Sequence, residues 1–152
     1  MAIFVYPVMH EAGHLLATLV FGGSVGRVSV FPVAYTECDV FFVSNFGKAV
    51  IGLSGMIFPM LFSGFRFKSF YAWFPVFALR GIGFLSFAIS AVSIVLFFNG
   101  TTVENEDVVQ VIQICGEHTA MAVTVVTVMT VFSVVLILTD HPFKRFTEFL
   151  LK

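Results

Sequence analysis

The sequence carries little charge. Only 11 % of its 152 residues are Asp, Glu, Lys or Arg, the formal net charge is −1, and no block of basic residues occurs. Soluble domains are about 25 % charged, and nucleic-acid binding needs clustered cations. The composition therefore argues against an ordinary soluble domain and gives no support for nucleic acid as a partner.

Cysteine is equally scarce. The chain contains two, Cys38 and Cys115, and two cysteines do not define a disulfide framework. Because Cys115 lies beside an apolar segment, we expect it to be a buried thiol.

Apolar residues are what the sequence has in abundance. They make up 59 % of the chain, 21 of them are Phe, and the mean hydropathy is +1.01. A helix that crosses a bilayer needs about 20 mostly apolar residues. Four segments meet that requirement: residues 2–21, 46–65, 70–98 (most cleanly 82–98) and 120–138. We therefore predict an all-α integral membrane protein, a single domain over residues 1–152 with about four transmembrane helices.

The segment after the first predicted helix has the composition of a short β element. It reads SVGRVSVFPVAYTECDVFFVSN, and its β-branched and aromatic residues favour two strands. We expect the first strand around residues 25–31 and the second at residues 40–43. Pro32 and residues 34–39 are expected to form the connection, because proline is tolerated only at strand ends or edges.

The charges outside the apolar segments predict an orientation. With four spans, both termini lie on the same side as Arg66 and Lys68, and the positive-inside rule makes that side cytoplasmic. The tail from Asp140 holds the basic residues Lys144, Arg145 and Lys152 among aromatic and aliphatic ones, which predicts an amphipathic helix in the membrane interface. Arg80, near the start of the third segment, is expected to extend its charge to the interface.

Three ionisable residues interrupt the first apolar segment, VMHEAGHLLATLVFGG. They are His10, Glu11 and His14, which we call the polar trio. His10 and His14 are four positions apart, so a helix places them on one face, where both imidazoles can bind one zinc ion. Three protein ligands leave a fourth position for water, and Glu11 can accept its proton. Ionisable groups within a membrane are costly and usually functional. The alternative is that the histidines form hydrogen bonds inside a helix bundle and Glu11 pairs with one of them.

A third ligand is needed for such a site. Hydrolytic zinc sites often combine two His with one carboxylate, and Asp107 begins the helix-like run DVVQVIQIC after the third segment. Asp107 is therefore the preferred candidate and His118 the next, while Glu104, Glu106 and His141 are expected to be solvated. The remaining candidates are Cys115, Glu117 and Asp140.

At this point the chain resembles a known family. HEAGH in an early membrane helix, a β-like segment after it, and an acidic residue 107 − 14 = 93 positions beyond the motif are similar to the site-2 protease family of intramembrane zinc metallopeptidases. The resemblance implies that His10, His14 and Asp107 hold Zn²⁺ and that Glu11 is the general base. GLSGMIFPML, which begins at Gly52, resembles the segment that opens the family's next core helix, with Gly55 as its small residue.

The resemblance also implies a partner and a location. The expected substrate is a membrane-spanning or membrane-associated protein, and the expected location is a prokaryotic cell membrane. Residues 25–43 could hold an unwound substrate by strand addition, or they could simply connect two helices. Two other functions stay open at this point: a zinc-binding membrane protein without catalysis, and a small transporter or channel subunit that uses the polar trio as an ion path.

Overall fold

The computed structural model describes residues 2–29, 34–103 and 106–151. The chain is mostly helical, with one short hairpin after the first helix, as predicted. In chain order the elements are α1 (Ala2–Val20), β1 (Ser24–Ser29), β2 (Tyr35–Asp39), α2 (Asn45–Ser63), α3 (Phe70–Phe98), α4 (Asp107–Ile114), a single 3₁₀ turn (Gly116–His118), α5 (Thr119–Thr139) and α6 (Pro142–Leu150).

Long apolar helices dominate the architecture. Within the described residues, three helical segments are long and apolar enough to cross a membrane: α2, α3, and the segment Gly116–Leu150 that contains α5. The predicted segments 46–65, 70–98 and 120–138 are thus helices of the expected kind. The first predicted segment is also a helix, α1, but it is not one of these three, and its apolar sequence is interrupted by the polar trio.

Helices α1 and α2 pack closely because small residues lie between them. A Cβ atom built on Gly13 would lie 2.4 Å from the backbone oxygen of Ser54, so only glycine allows this approach. The rest of the core is built by α2, α3, α4 and α5, around side chains such as Leu53, Met60 and Phe87. The close contact fixes the position of the polar trio relative to α2.

The hairpin differs from its prediction. Strands β1 and β2 are antiparallel, with Ser24 opposite Asp39 and Ser29 opposite Tyr35. The second strand is therefore Tyr35–Asp39, within the predicted connection, and residues 40–43 form a turn instead. The Asp39 carboxylate accepts a hydrogen bond from the Phe41 backbone N–H at 3.1 Å, which helps turn the chain there. Pro32 lies outside the described residues.

One side of strand β2 faces the part of α1 that carries the polar trio. The hydroxyl of Thr36 donates a hydrogen bond to the backbone oxygen of Glu11, at 3.4 Å. In contrast, Phe41 and Phe42, which were predicted to be in a strand, are 78 % and 92 % exposed. The hydroxyl of Thr36 thus faces the bundle, whereas the apolar rings of Phe41 and Phe42 are directed outward.

Helix α4 begins at a cap that the prediction placed in solvent. The Glu106 carboxylate accepts hydrogen bonds from the backbone N–H of Val109 at 2.8 Å and from the hydroxyl of Ser90, on α3, at 2.5 Å. The expectation that Glu106 is a solvated loop charge is therefore wrong. A side chain that caps a helix satisfies an N–H that has no partner within the helix. Val108 and Val109 are fully buried, so α4 is anchored in the bundle from its first turn.

Arg80 is also placed differently from its prediction. Its side chain is buried, not extended to an interface, and it forms an ion pair with the buried carboxylate of Asp140. Two further hydrogen bonds run from the guanidinium to the backbone oxygens of Ser63 at 2.7 Å and Phe65 at 2.9 Å. A buried arginine is tolerated only when its charge and donors are matched in this way. The cluster fastens the ends of α2 and α5 to α3.

The predicted amphipathic tail helix is present as α6. It follows His141, whose backbone is left-handed with φ 48°, and this conformation separates α6 from α5. The ring of Phe149 stacks on that of Phe70 with centroids 3.9 Å apart, and Phe146 contacts Trp73 edge-on. The aromatic side of α6 therefore packs against the beginning of α3.

Candidate metal centre

Two helices bring the three preferred ligands together. His10 and His14 lie one turn apart on α1, and Asp107 is the first residue of α4. Asp107 Oδ2 is 3.0 Å from His10 Nε2 and 3.4 Å from His14 Nε2, and the two Nε2 atoms are 3.1 Å apart. The i, i+4 spacing thus placed both imidazoles on one face, as predicted, and α4 supplies a carboxylate to the same point.

These separations fit a divalent metal ion. Ligand atoms about 2.0–2.1 Å from a tetrahedral zinc ion lie roughly 3.3 Å from each other. The three observed distances are 3.0, 3.1 and 3.4 Å, and two imidazole nitrogens with one carboxylate form a donor set that zinc accepts. The residues can therefore hold zinc with little rearrangement.

A neighbouring carbonyl favours the form of His14 that binds metal. Its Nδ1 lies 2.8 Å from the backbone oxygen of Ile51. In the neutral imidazole, Nδ1 then carries the proton and donates it to that oxygen, and Nε2 presents a lone pair to the centre. Outer hydrogen bonds of this kind orient histidine ligands in metal sites. Nδ1 of His10 is buried and has no hydrogen-bond partner among the described residues.

The carboxylate is held in its charged form. Burial raises the pKa of Asp107, but when the imidazoles of His10 and His14 are protonated, their hydrogen bonds to the carboxylate and their positive charge outweigh that effect, so the pKa of Asp107 lies below the usual range. Asp107 itself lies on α4, outside the three long apolar helices. Because an ionised carboxylate is the form that binds a metal, the centre offers a ready ligand.

Glycines on α2 leave room for the centre. A Cβ atom on Gly55 would lie 2.3 Å from His14 Nε2 and 2.8 Å from His10 Cε1, closer than Cβ atoms approach other non-bonded heavy atoms. One turn earlier, a Cβ atom on Gly52 would lie 2.4 Å from the Val111 side chain on α4. The helix backbone itself thus forms one wall, and Gly55, which the sequence singled out only by resemblance, lies directly against both imidazoles.

Glu11 lines a cavity beside the three ligands. The cavity has a volume of about 380 Å³ and is lined by the three candidate ligands, by Thr36, Cys38 and Val40 of the hairpin region, and by Lys48 and Gln110. Glu11 is half-buried in its wall. The cavity is large enough for water and an extended chain segment, and it places a carboxylate that is not one of the three ligands next to them.

The other predicted candidates lie elsewhere or play other roles. Glu117 accepts a hydrogen bond from Asn45 at 3.0 Å. Its Oε1 atom is 3.6 Å from His118 Nε2, so Glu117 and His118 form a separate pair. Cys115 is buried, as predicted, and lines the cavity, but it is not in the three-residue cluster. Asp140 belongs to the Arg80 cluster, His141 is exposed, and Glu104 lies outside the described residues.

Two parts of the site had no signal in the sequence. The backbone oxygen of Ile51 is a partner that only the crossing of α1 and α2 reveals, and the hairpin wall of the cavity depends on where β2 begins. Comparison with known proteins adds no assignment: the protein-family models, the curated proteins and the solved structures searched gave no match to this chain.

Proposed function

We propose that the protein is an intramembrane zinc metallopeptidase, similar in its site to the site-2 protease family. The observation that carries the proposal is the convergence of one ligand atom each from His10, His14 and Asp107, which lie 3.0–3.4 Å apart, beside a cavity that Glu11 also lines. This donor set, with an adjacent carboxylate that is free to act as a base, is the arrangement that metal-assisted hydrolysis requires.

The chain's own residues divide the work of peptide hydrolysis. Zinc, when bound, supplies Lewis-acid chemistry that polarises the scissile carbonyl and lowers the pKa of water. Glu11 accepts the proton of the attacking water and delivers it to the leaving amine, as general base and then general acid. Ile51 holds the His14 ring in its orientation through the 2.8 Å hydrogen bond. Glu106 holds Asp107 in place by capping α4.

The proposal places α1 in the membrane as a fourth span. Its 19 residues have a length of about 28 Å, close to the roughly 30 Å of a bilayer core. His14 and His10 then lie roughly 9 and 15 Å from the helix end that leads to the hairpin, at 1.5 Å per residue. The centre is thus below the membrane surface, and the cavity lined by Glu11, Lys48 and Gln110 gives water its route. Both termini lie on the side of Arg66 and Lys68, which is the cytoplasmic side.

The substrate in this proposal is a membrane-spanning or membrane-associated protein. A helical substrate conceals its peptide groups in internal hydrogen bonds, so it must unwind before hydrolysis. Thr36 and Cys38 of β2 line the cavity next to the three ligands. In the two-stranded sheet, β1 pairs with only one edge of β2. The other edge can bind an unwound segment by strand addition.

The metal content of the detergent-purified protein tests the centre. We expect about one zinc ion per wild-type chain and little or none for Asp107→Ala. Glu37→Ala is the matched control, because Glu37 is an exposed carboxylate on β2, and it should bind zinc as the wild type does. Equal zinc in the wild type and Asp107→Ala would show that the third ligand is a different residue. No zinc in any of the three proteins, even with zinc supplied, would refute the metal centre.

Catalysis needs a separate measurement. Single-span model peptides reconstituted with the protein in liposomes can be screened for cleavage by mass spectrometry. Glu11→Gln should abolish cleavage and keep the zinc, because Glu11 is the base and not one of the three ligands. Zinc binding without cleavage by the wild type would favour a non-catalytic zinc protein. Loss of zinc in Glu11→Gln would show that Glu11 is a ligand.

A further inference from the structure

A second cavity, remote from the metal centre, lies where the helices end. It has a volume of about 430 Å³ and is lined by residues from the α2–α3 connection, the end of α5, and α6. We call it the basic cavity, after Lys68, Lys144 and Arg145 in its wall; Phe70 and Phe149 form its apolar side. It lies beside the stacked rings that attach α6 to α3.

The charge in the basic cavity is predominantly positive. Two carboxylates also line it, Asp140 and Glu148. Asp140 is already neutralised by the buried guanidinium of Arg80, so Glu148 is the one acidic group of the wall without a buried cation, and it lies 3.9 Å from Lys144. Lys68 has no ion-pair partner among the described residues. Two lysines and an arginine thus face a single available carboxylate.

Arg145 is held in a fixed position. One of its guanidinium nitrogens donates a hydrogen bond to the backbone oxygen of Phe67 at 2.7 Å, and its charge lies 5.3 Å from the centre of the Trp73 ring. Those contacts leave further N–H donors on the guanidinium for another acceptor. A positioned arginine with two lysines in the same wall is suited to an anion with several oxygens, such as a phosphate.

The position of the cavity favours a membrane lipid as the source of such a phosphate group. The cavity lies at the ends of α2 and α5 and the beginning of α3, which is the level at which membrane helices enter the headgroup layer. Helix α6 is strongly amphipathic, with Lys144 and Glu148 on one side and Phe146 and Phe149 on the other, as interfacial helices are. The aromatic side of the cavity, formed by Phe70 and Phe149, suits the start of the acyl chains next to a lipid headgroup.

We infer that the basic cavity binds the phosphate headgroup of an anionic phospholipid, through Lys68, Lys144 and Arg145. The inference depends on membrane insertion but not on the zinc chemistry, so it can fail while the metallopeptidase proposal holds, and the reverse. Each cation near a charged membrane surface strengthens binding about fivefold. The double variant Lys68→Gln/Lys144→Gln should therefore bind an anionic lipid roughly thirtyfold more weakly.

The test is titration of the purified protein in detergent with phosphatidylglycerol, phosphatidylcholine or inorganic phosphate. Binding can be followed by the fluorescence of Trp73, the one tryptophan in the chain. We expect saturable binding of phosphatidylglycerol, at least tenfold weaker binding of phosphatidylcholine, and no competition by inorganic phosphate. Glu148→Gln should bind phosphatidylglycerol about fivefold more tightly, because it removes the opposing charge. Arg27→Gln, at the opposite end of the bundle, should bind as the wild type does.

Three outcomes would overturn the inference. Equal affinity for both lipids would mean that the headgroup charge is not recognised. Binding of inorganic phosphate as tight as that of the lipid would identify a site for soluble phosphate. Unchanged phosphatidylglycerol binding in both Lys68→Gln/Lys144→Gln and Glu148→Gln, with the fold retained, would place the lipid elsewhere.

Discussion

Replacing Gly55 with alanine should disable the metal centre while leaving the helices intact. The added Cβ would lie 2.3 Å from His14 Nε2 and 2.7 Å from His14 Cε1. Ordinary contact between such atoms begins near 3.4 Å, so the ring, or the helix that carries it, must move by about 1 Å. Metal ligands tolerate displacements of about 0.2 Å, so the required movement is several times what the centre can absorb.

The expected loss is large enough to measure directly. Disturbing a group that merely orients a ligand costs about 10–100-fold in metal affinity. Displacing the ligand itself should therefore weaken zinc binding by about 100-fold or more, equivalent to about 2.7 kcal/mol. Competition with a chromophoric chelator in detergent gives the dissociation constant. Circular dichroism and thermal unfolding of the metal-free protein show whether the fold is kept.

A matched glycine provides the control. A Cβ atom on Gly81, in α3, would have no heavy atom within 4 Å, so Gly81→Ala should bind zinc normally and be slightly more stable, by about 0.5–1 kcal/mol. Zinc affinity in Gly55→Ala equal to that of the wild type would refute the reasoning, because it would mean that the imidazoles do not bind metal in the position described.

Substitutions at two further sites, Glu106 and the Arg80–Asp140 pair, test the supports of the centre and of the bundle. Glu106→Ala should lower stability by about 1 kcal/mol through the lost helix cap and weaken zinc binding about 10–100-fold through Asp107. Glu106→Gln, which keeps an acceptor oxygen, should be milder in both zinc titration and thermal unfolding, and equal effects would argue against the cap. Arg80→Met should cost about 3–5 kcal/mol in unfolding experiments because Asp140 is left buried and unpaired. The double variant Arg80→Met/Asp140→Asn should recover part of that loss. An Arg80→Met protein as stable as the wild type would contradict the buried ion pair.

The clustering of His10, His14 and Asp107 was largely predictable because much of its signal is local. His10 and His14 come together through the geometry of one helix turn, which needs no knowledge of the rest of the fold. Asp107 was favoured because it begins a helical run and because its spacing from the motif fits a resemblance. That Asp107 meets the imidazoles follows from the packing of α4 against α2 and α3, which pattern alone does not reveal.

The errors arose where the surroundings of a residue come from parts of the chain that are distant in the sequence. The hairpin prediction assigned the apolar residues 40–43 to a strand and the polar residues 34–39 to a turn. In the structure the polar residues pair with β1, and Thr36 and Cys38 line the cavity beside the candidate metal ligands, whereas Phe41 and Phe42 are directed outward. The assumption that a charged residue at a helix end reaches water failed for Arg80 for a related reason: its partner, Asp140, is distant in the sequence.

The distance between Arg80 and its partner has a consequence for synthesis of the chain. The carboxylate that neutralises Arg80 is made 60 residues later, which takes about 3–12 s at about 5–20 residues per second. The two backbone oxygens that also accept from the guanidinium belong to Ser63 and Phe65, and these precede it. The emerging arginine therefore has acceptors at once, but no counter-charge until α5 is complete. Assembly of α2 with α3 can begin early, whereas locking of the bundle must wait for the last long helix.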